Sequence, residues 1–366
     1  MSNYSNNHNN NYGDNYSRSD DMENIYSGKK KNKKWLLKSI IVVFSIIFAI
    51  VGSGMIYYYN LLNSVNYDDL SSTPEASAPE EDLGDHNIAE VDVSDGTLLT
   101  DSKVLNIVLF GSDHRETNEN GRSDTTLVLT IDNRRKKIKI TSIMRDLWVH
   151  IPGRNDNRIN VAYSYGGPKK AIETIERNLG IKIDRYANAD FESFEKIVDR
   201  LGGIDIELTA TEVAYINQDV AYMHPEAAKT NRLTGSGVKH LNGMQTLSHA
   251  RNRHSAMSDF DRTARQRNVI KAILSKFKTA NLNQITGIIS DVGPMITTNF
   301  KKDEISNLVA NSLTYLKYDV EEYRIPQDGN YSNAKINGMY VLVVKDMKKE
   351  RYDLAKFIYE DSVKNS

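Results

Sequence analysis

Four arginines and one glutamine crowd into sixteen residues: Arg251, Arg253, Arg262, Arg265 and Gln266. Arg262, Arg265 and Gln266 stand at i, i+3 and i+4, so a helix would put them on one face. Asp259 lies three residues ahead of Arg262, where an N-cap would fix the start of that face. Arg251 and Arg253 are two apart and would point the same way in extended chain. Guanidinium groups that converge like this suit phosphate or pyrophosphate, whose oxygens accept paired hydrogen bonds. A solvated basic helix with scattered ion pairs uses the same residue types, so the decision rests on the remainder of the chain.

Upstream, Phe110-Gly111-Ser112-Asp113-His114-Arg115 follows an apolar run directly, and Gly121-Arg122-Ser123-Asp124-Thr125 precedes another. Gly111 would permit a tight turn, leaving Asp113 at the loop tip, with Asp124 across the loop. Two carboxylates beside phosphate-binding arginines suit hydrated Mg²⁺, with Mn²⁺ as the alternative, because such ions take hard oxygen ligands and share them with phosphate. Turn capping, or pairing with Arg115 and Arg122, would occupy the same aspartates. Arg145-Asp146 and Arg158-Ile159-Asn160 add further charge, and a salt-bridged turn is the plain alternative for the first. His114, His150, His240, His249 and His254 have no metal-ligand spacing and read as surface or structural.

These residues need a scaffold. Val104–Phe110, Thr125–Ile131, Lys137–Ser142, Gly203–Leu208 and Val320–Ile325 read as strands. Pro168–Leu179, Phe191–Leu201, Leu241–Ala250, Arg262–Ala280, 303–316 and Asp346–Tyr359 read as helices. Strands alternating with helices predict an α/β domain, a central mixed sheet covered by helices on both faces. In such folds ligands sit at the carboxyl ends of the strands. No phosphate-loop, nucleophile-elbow or His-Glu-x-x-His motif occurs.

The start of the chain bounds where this domain works. Residues 1–38 form an Asn-rich tail ending in a lysine run, and read as disordered. Ser39–Tyr59 carries no charge and as a helix would span about 30 Å, a bilayer's hydrocarbon core. Lysines precede it, and no Lys or Arg occurs between Lys38 and Lys103, so the positive-inside rule predicts a cytoplasmic N-terminus and an external remainder. Residues 60–102, acidic and proline-containing, read as a stalk, and 103–366 as the catalytic domain. The net charge of -1 argues against a general nucleic-acid binder, and the absence of cysteine removes thiolate chemistry.

In order along the chain stand Gly111-Ser112-Asp113-x-Arg115, Gly121-Arg122-Ser123-Asp124-Thr125, Arg145-Asp146, Arg158-Ile159-Asn160-x-Ala162-Tyr163, Leu241-Asn242-Gly243 leading to Ala250-Arg251-x-Arg253, and Asp259-x-x-Arg262-x-x-Arg265-Gln266. After a single anchor, this series resembles the LytR-CpsA-Psr family of cell-envelope enzymes over Lys103 to Lys278. The resemblance implies a phosphotransferase moving an anionic glycopolymer, teichoic acid or capsular polysaccharide, from a polyprenyl-pyrophosphate carrier to the C6 hydroxyl of N-acetylmuramic acid in peptidoglycan. It implies a single-pass membrane protein of a Gram-positive bacterium with its catalytic domain outside. By motif, Asp113 and Asp124 would hold Mg²⁺. Arg122, Arg145, Arg251, Arg253, Arg262 and Gln266 would grip the pyrophosphate, and Asp113 would serve as base. Arg145, Arg251 and Arg253 would act in catalysis beside Asp113, and Arg115, Asp146, Arg158, Asp259 and Arg265 would support them. The polyprenyl chain needs an apolar tunnel, for which Ile270, Ile273, Leu274 and Phe277 are candidates, although residues at this helical spacing are more often ordinary core. Three other readings compete: a lipid-pyrophosphate hydrolase, a non-enzymatic binder of envelope polymers, and a regulator, which the Asn-rich tail and predicted topology oppose.

Overall fold

Alternating apolar residues make three long neighbouring strands, the middle of a seven-stranded mixed sheet. In this computed structural model, residues 45, 59–70, 80–82, 97–112, 121, 123–252 and 258–360 are described. The chain divides into two units, Met1–Asn60 and Leu61–Ser366, and the sheet belongs to the second. Its strands are β1 (Asn66–Tyr67), β2 (Val104–Ser112), β3 (Ser123–Asp132), β4 (Lys137–Ile143), β5 (Arg185–Ala189), β6 (Thr297–Thr298) and β7 (Asp319–Ile325). In space the order is β1-β6-β5-β2-β3-β4-β7. The pairs β1–β6, β5–β2 and β4–β7 are parallel, and β6–β5, β2–β3 and β3–β4 antiparallel.

The longer helices are α1 (Val161–Leu179), α2 (Phe191–Arg200), α3 (Ala210–Met223), α4 (Gly243–Arg251), α5 (Ser258–Phe277), α6 (Leu282–Val292), α7 (Lys302–Tyr315) and α8 (Met347–Tyr359). The period-two alternation of β2 sends its residues to two cores. Val108 and Phe110 pack with Ile172, Ile175 and Leu179 of α1 and Leu354 and Ile358 of α8. Ile107, with Leu105 and Leu109 beside it, packs against Leu274 of α5 and Ile305 and Leu308 of α7. Helices therefore cover both faces, as the sequence predicts. Val108 and Val128 are wholly buried at the centre, each worth about 1.5–3 kcal/mol of hydrophobic burial.

Several expectations are corrected. Residues 66–67, read as stalk, form the edge strand β1, and Tyr186 of β5 hydrogen-bonds Asp68 just beyond it. Gly111 is no loop turn: it lies within β2, opposite Thr125, where a Cβ would stand 3.1 Å from the threonine Cβ. The strand at Ile204–Leu208 does not join the central sheet but pairs antiparallel with Gly237–Leu241. The helix expected at Pro168 starts at Val161 and restarts at Pro168, because Gly166 and Gly167 break its geometry and Gly167 has φ 60°. Ile273 and Phe277 pack, as ordinary core residues do, into a cluster with Val198 of α2 and Ile204 of the hairpin strand, while Leu274 serves the sheet. The predicted anchor, Ser39–Tyr59, lies outside the described residues except Ser45 and Tyr59. Among the described residues no helix is long and apolar enough to cross a membrane.

α4, which ends in Arg251, is seated by a close approach. Asn242 and Gln245 form its capping box, and the Gly243 amide donates to Asp199 of α2 at 2.7 Å. A Cβ at Gly243 would overlap the Glu195 carbonyl oxygen. Gly243→Ala is therefore expected to cost about 1–3 kcal/mol of stability through overpacking, read by calorimetric unfolding. An unchanged unfolding temperature would contradict this packing.

Candidate functional site

Arg145 follows β4 and stands at the sheet edge where the carboxyl ends of β2, β4, β5 and β7 meet the start of β3. Three carboxylates from separate chain segments converge on its guanidinium. Nη1 donates to Asp124 of β3 at 3.1 Å, Nη2 donates to Asp259 of α5 at 3.1 Å, and Nε lies 3.4 Å from Asp146. Asp146 also accepts from Arg158 at 3.2 Å, and Asp259 lies 3.3 Å from Arg262. Three aspartates and three arginines thus form one continuous network. Its members are mostly half-buried, whereas Arg262 is 2% exposed and Asp124 side chain 39% exposed.

Burial opposes the charge on Arg145, but Asp146, Asp259 and Asp124 outweigh it and hold its pKa above the ordinary value. Asp146 is pushed up, first by burial and then by a hydrogen bond shared with Asp259, with Arg145 and Arg158 pulling the other way.

α5 presents its polar residues in two directions. Gln266 donates to Thr125 Oγ1 at 2.9 Å, placing it with Arg262 on the sheet side. Arg265, expected on that same face, turns to α3 and donates to Glu212 at 2.8 Å. Asp259 is not the N-cap: the helix starts at Ser258, so Asp259 sits in the first turn and is held by Arg145 and Arg262 instead. Arg251 stacks its guanidinium 4.5 Å over the Phe191 ring, and its Nη1 reaches the Met223 sulfur. Asp113, Arg115, Arg122 and Arg253 lie outside the described residues, as do His114 and His254.

Sequence reasoning missed Phe191, Met223 and Glu212, which no motif marks. It also assigned no role to the end of the chain. There the hairpin Tyr331–Ile336/Met339–Val344 docks on the site. The Leu342 amide donates to the Asp146 carbonyl at 2.9 Å, and Tyr331 stacks on Phe260, next to Asp259, at 5.4 Å. Arg324 covers the same Phe260 ring at 4.5 Å. Two of the acidic partners of Arg145 are thereby buttressed from one hairpin.

A profile of the LytR_cpsA_psr family matches residues 67–356. The chain belongs to the LytR_cpsA_psr family. The "Polyisoprenyl-teichoic acid--peptidoglycan teichoic acid transferase TagU" of Bacillus mycoides (strain KBAB4) is 29% identical over 325 residues, 88% of this chain and 95% of that relative. A solved "LytR-CPS2A-psr family protein YwtF (TagT) with bound octaprenyl pyrophosphate lipid" shares the fold with TM-score 0.54 at 23% identity, over 70% of this chain and 91% of that one. B. subtilis TagV superposes with TM-score 0.55 at 26% identity, over 71% of this chain and 99% of that one. For this LytR_cpsA_psr member, the family match extends the motif-based resemblance at both ends, to the edge strand β1 and into α8.

Of the histidines, His150 and His240 pair with Asp156 and Asp205 at the exposed surface. His249 differs: it is 2% exposed, and burial first, then Arg265, push its pKa down to about 4 against the pull of Glu212. The unfolded chain therefore binds a proton near pH 6.5 that the folded one refuses until about 4. Stability is full above the first value, falls with pH through the window and levels off below the second, a loss on the order of 3 kcal/mol. His249→Gln is expected to flatten unfolding temperature against pH between these limits; an identical slope in both proteins would refute the assignment.

Proposed function

We propose that this chain is a membrane-anchored phosphotransferase. It moves an anionic glycopolymer of the teichoic acid type from a polyprenyl-pyrophosphate carrier to the C6 hydroxyl of N-acetylmuramic acid in peptidoglycan. The observation that carries the reading is the Arg145 network at the carboxyl edge of the sheet, with Arg251 and Arg262 on adjoining helices. The printed activity of the TagU relatives, which this chain matches along nearly their whole length, supports it, as does the octaprenyl pyrophosphate bound by TagT.

In this reading the muramic acid hydroxyl oxygen attacks the phosphorus that bears the glycopolymer. The bridging P–O bond breaks, polyprenyl phosphate leaves and a phosphodiester forms. Asp113 takes the hydroxyl proton. Negative charge grows on the bridging and non-bridging oxygens, and Arg122, Arg145, Arg251, Arg253 and Arg262 stabilise it, with Gln266 donating to a phosphate oxygen. Asp124 suits a hard cation: it is a carboxylate at the strand end, partly exposed, and one of its oxygens already neutralises Arg145. With Asp113 it would hold Mg²⁺, which when bound would offset pyrophosphate charge. The catalytic domain works outside the membrane, tethered by Ser39–Tyr59 with the lysine-rich tail in the cytoplasm.

The test incubates the full chain in detergent with a polyprenyl-pyrophosphate glycopolymer, Mg²⁺ and undecorated peptidoglycan oligomer. Wild type is expected to form the phosphodiester, and Arg251→Ala/Arg253→Ala to lose at least about a hundredfold in rate. Free phosphorylated sugar without coupled product would favour a hydrolase, and turnover unaffected by the arginine changes would contradict the cradle.

A further inference from the structure

Glu212 occupies the first turn of α3 and has two jobs. One carboxylate oxygen, Oε2, closes the capping box: it accepts the Thr209 amide at 3.0 Å and the Thr209 hydroxyl at 3.0 Å, while the Glu212 amide donates to Thr209 Oγ1 at 3.2 Å. The other oxygen, Oε1, accepts Arg265 Nε at 2.8 Å. Both side chains are mostly buried, at 17% and 13% exposed, so solvent screens the pair weakly.

Arg265 reaches further. Its Nη1 donates to the Asn252 carbonyl at 3.1 Å. Asn252 is 2% exposed and is the C-cap of α4, the residue immediately after Arg251. α4 itself runs only from Gly243 to Arg251, and the Asn252 amide closes its end by donating to the His249 carbonyl at 3.2 Å. A planar guanidinium can bond a carboxylate through one nitrogen and a carbonyl through another, and so set their separation. At its other end α3 supplies Met223, whose sulfur touches Arg251. The same helix thus braces the Arg251 region twice, through Arg265 and through Met223. His249, buried beside Glu212 and Arg265 and held neutral, adds no second positive charge to compete with Arg265 for the Glu212 carboxylate.

We propose that Glu212 is a positioning residue for the pyrophosphate arginines: through Arg265 it fixes the Asn252 carbonyl, and so fixes the backbone from which the Arg251 guanidinium is aimed over Phe191. This rests on the pyrophosphate reading of the site. Glu212 touches no reacting atom; it removes the freedom of Arg251 to swing away from the ligand.

The experiment measures the dissociation constant of polyprenyl pyrophosphate for the full chain in detergent micelles. Glu212→Gln is expected to weaken binding about tenfold by removing the charge from a buried, hydrogen-bonded pair. Arg265→Lys, with one compact ammonium in place of the fork, is expected to weaken it about as much. The decisive readout is coupling. In an Arg251→Ala background, Glu212→Gln is expected to change affinity by less than about twofold, because the side chain it positions is gone. Thr209→Ala, which removes the cap hydroxyl but leaves Glu212 Oε1 on Arg265, is expected to lower the unfolding temperature and leave affinity within about twofold. An unchanged affinity in Glu212→Gln, or the same loss with and without Arg251, would overturn the inference while the cradle stands. Failure of wild type to bind would remove the cradle reading and this inference together.

Discussion

Everything at the carboxyl edge of the sheet depends on Arg145 holding three carboxylates. Asp124 comes from the strand antiparallel to its own, Asp146 from the next position in the chain, and Asp259 from a helix more than a hundred residues on. No local element could bring these groups together. The mixed sheet can, because β3 starts at the edge where β2, β4, β5 and β7 end. Removing one member of such a half-buried cluster leaves the others uncompensated, so the network fixes where α5 and the strand ends sit relative to each other.

The same constraint explains the site's electrostatic character. Three arginines and three aspartates balance in number, so the positive surplus that an anionic ligand needs must come from arginines outside the network, such as Arg251 over Phe191. Arg145 spends its guanidinium on protein carboxylates here. A pyrophosphate offers denser charge than any of them and would compete for the same N–H groups.

Much of this was legible in the sequence, and the gaps have physical causes. The three central strands and the helices α2, α7 and α8 follow from hydrophobic period, since their cores are built from regular alternation. β1 and β6 have two residues each, too few to show any period, and exist because a sheet edge accepts them. Arg145, Asp146, Arg251 and Arg262 were recognisable by type and order. Arg265 was placed on the wrong side: the i, i+3 spacing leaves room for a rotation toward Glu212, and only the neighbouring helix decides it. Phe191, Glu212 and the Tyr331–Val344 hairpin act through contacts across long sequence distance, which spacing cannot reveal.

If Arg145 exchanges carboxylate partners for the donor's pyrophosphate, its loss must weaken donor binding. Phosphorus NMR of a short-chain polyprenyl pyrophosphate, titrated with the full chain in micelles, tests it directly against Arg145→Gln. Both phosphorus resonances should shift on binding to wild type, and the variant should bind at least about tenfold more weakly, in keeping with loss of a charged hydrogen-bond donor. Equal affinity with the same shifts in both proteins would show that Arg145 remains with its aspartates and takes no part in holding the ligand.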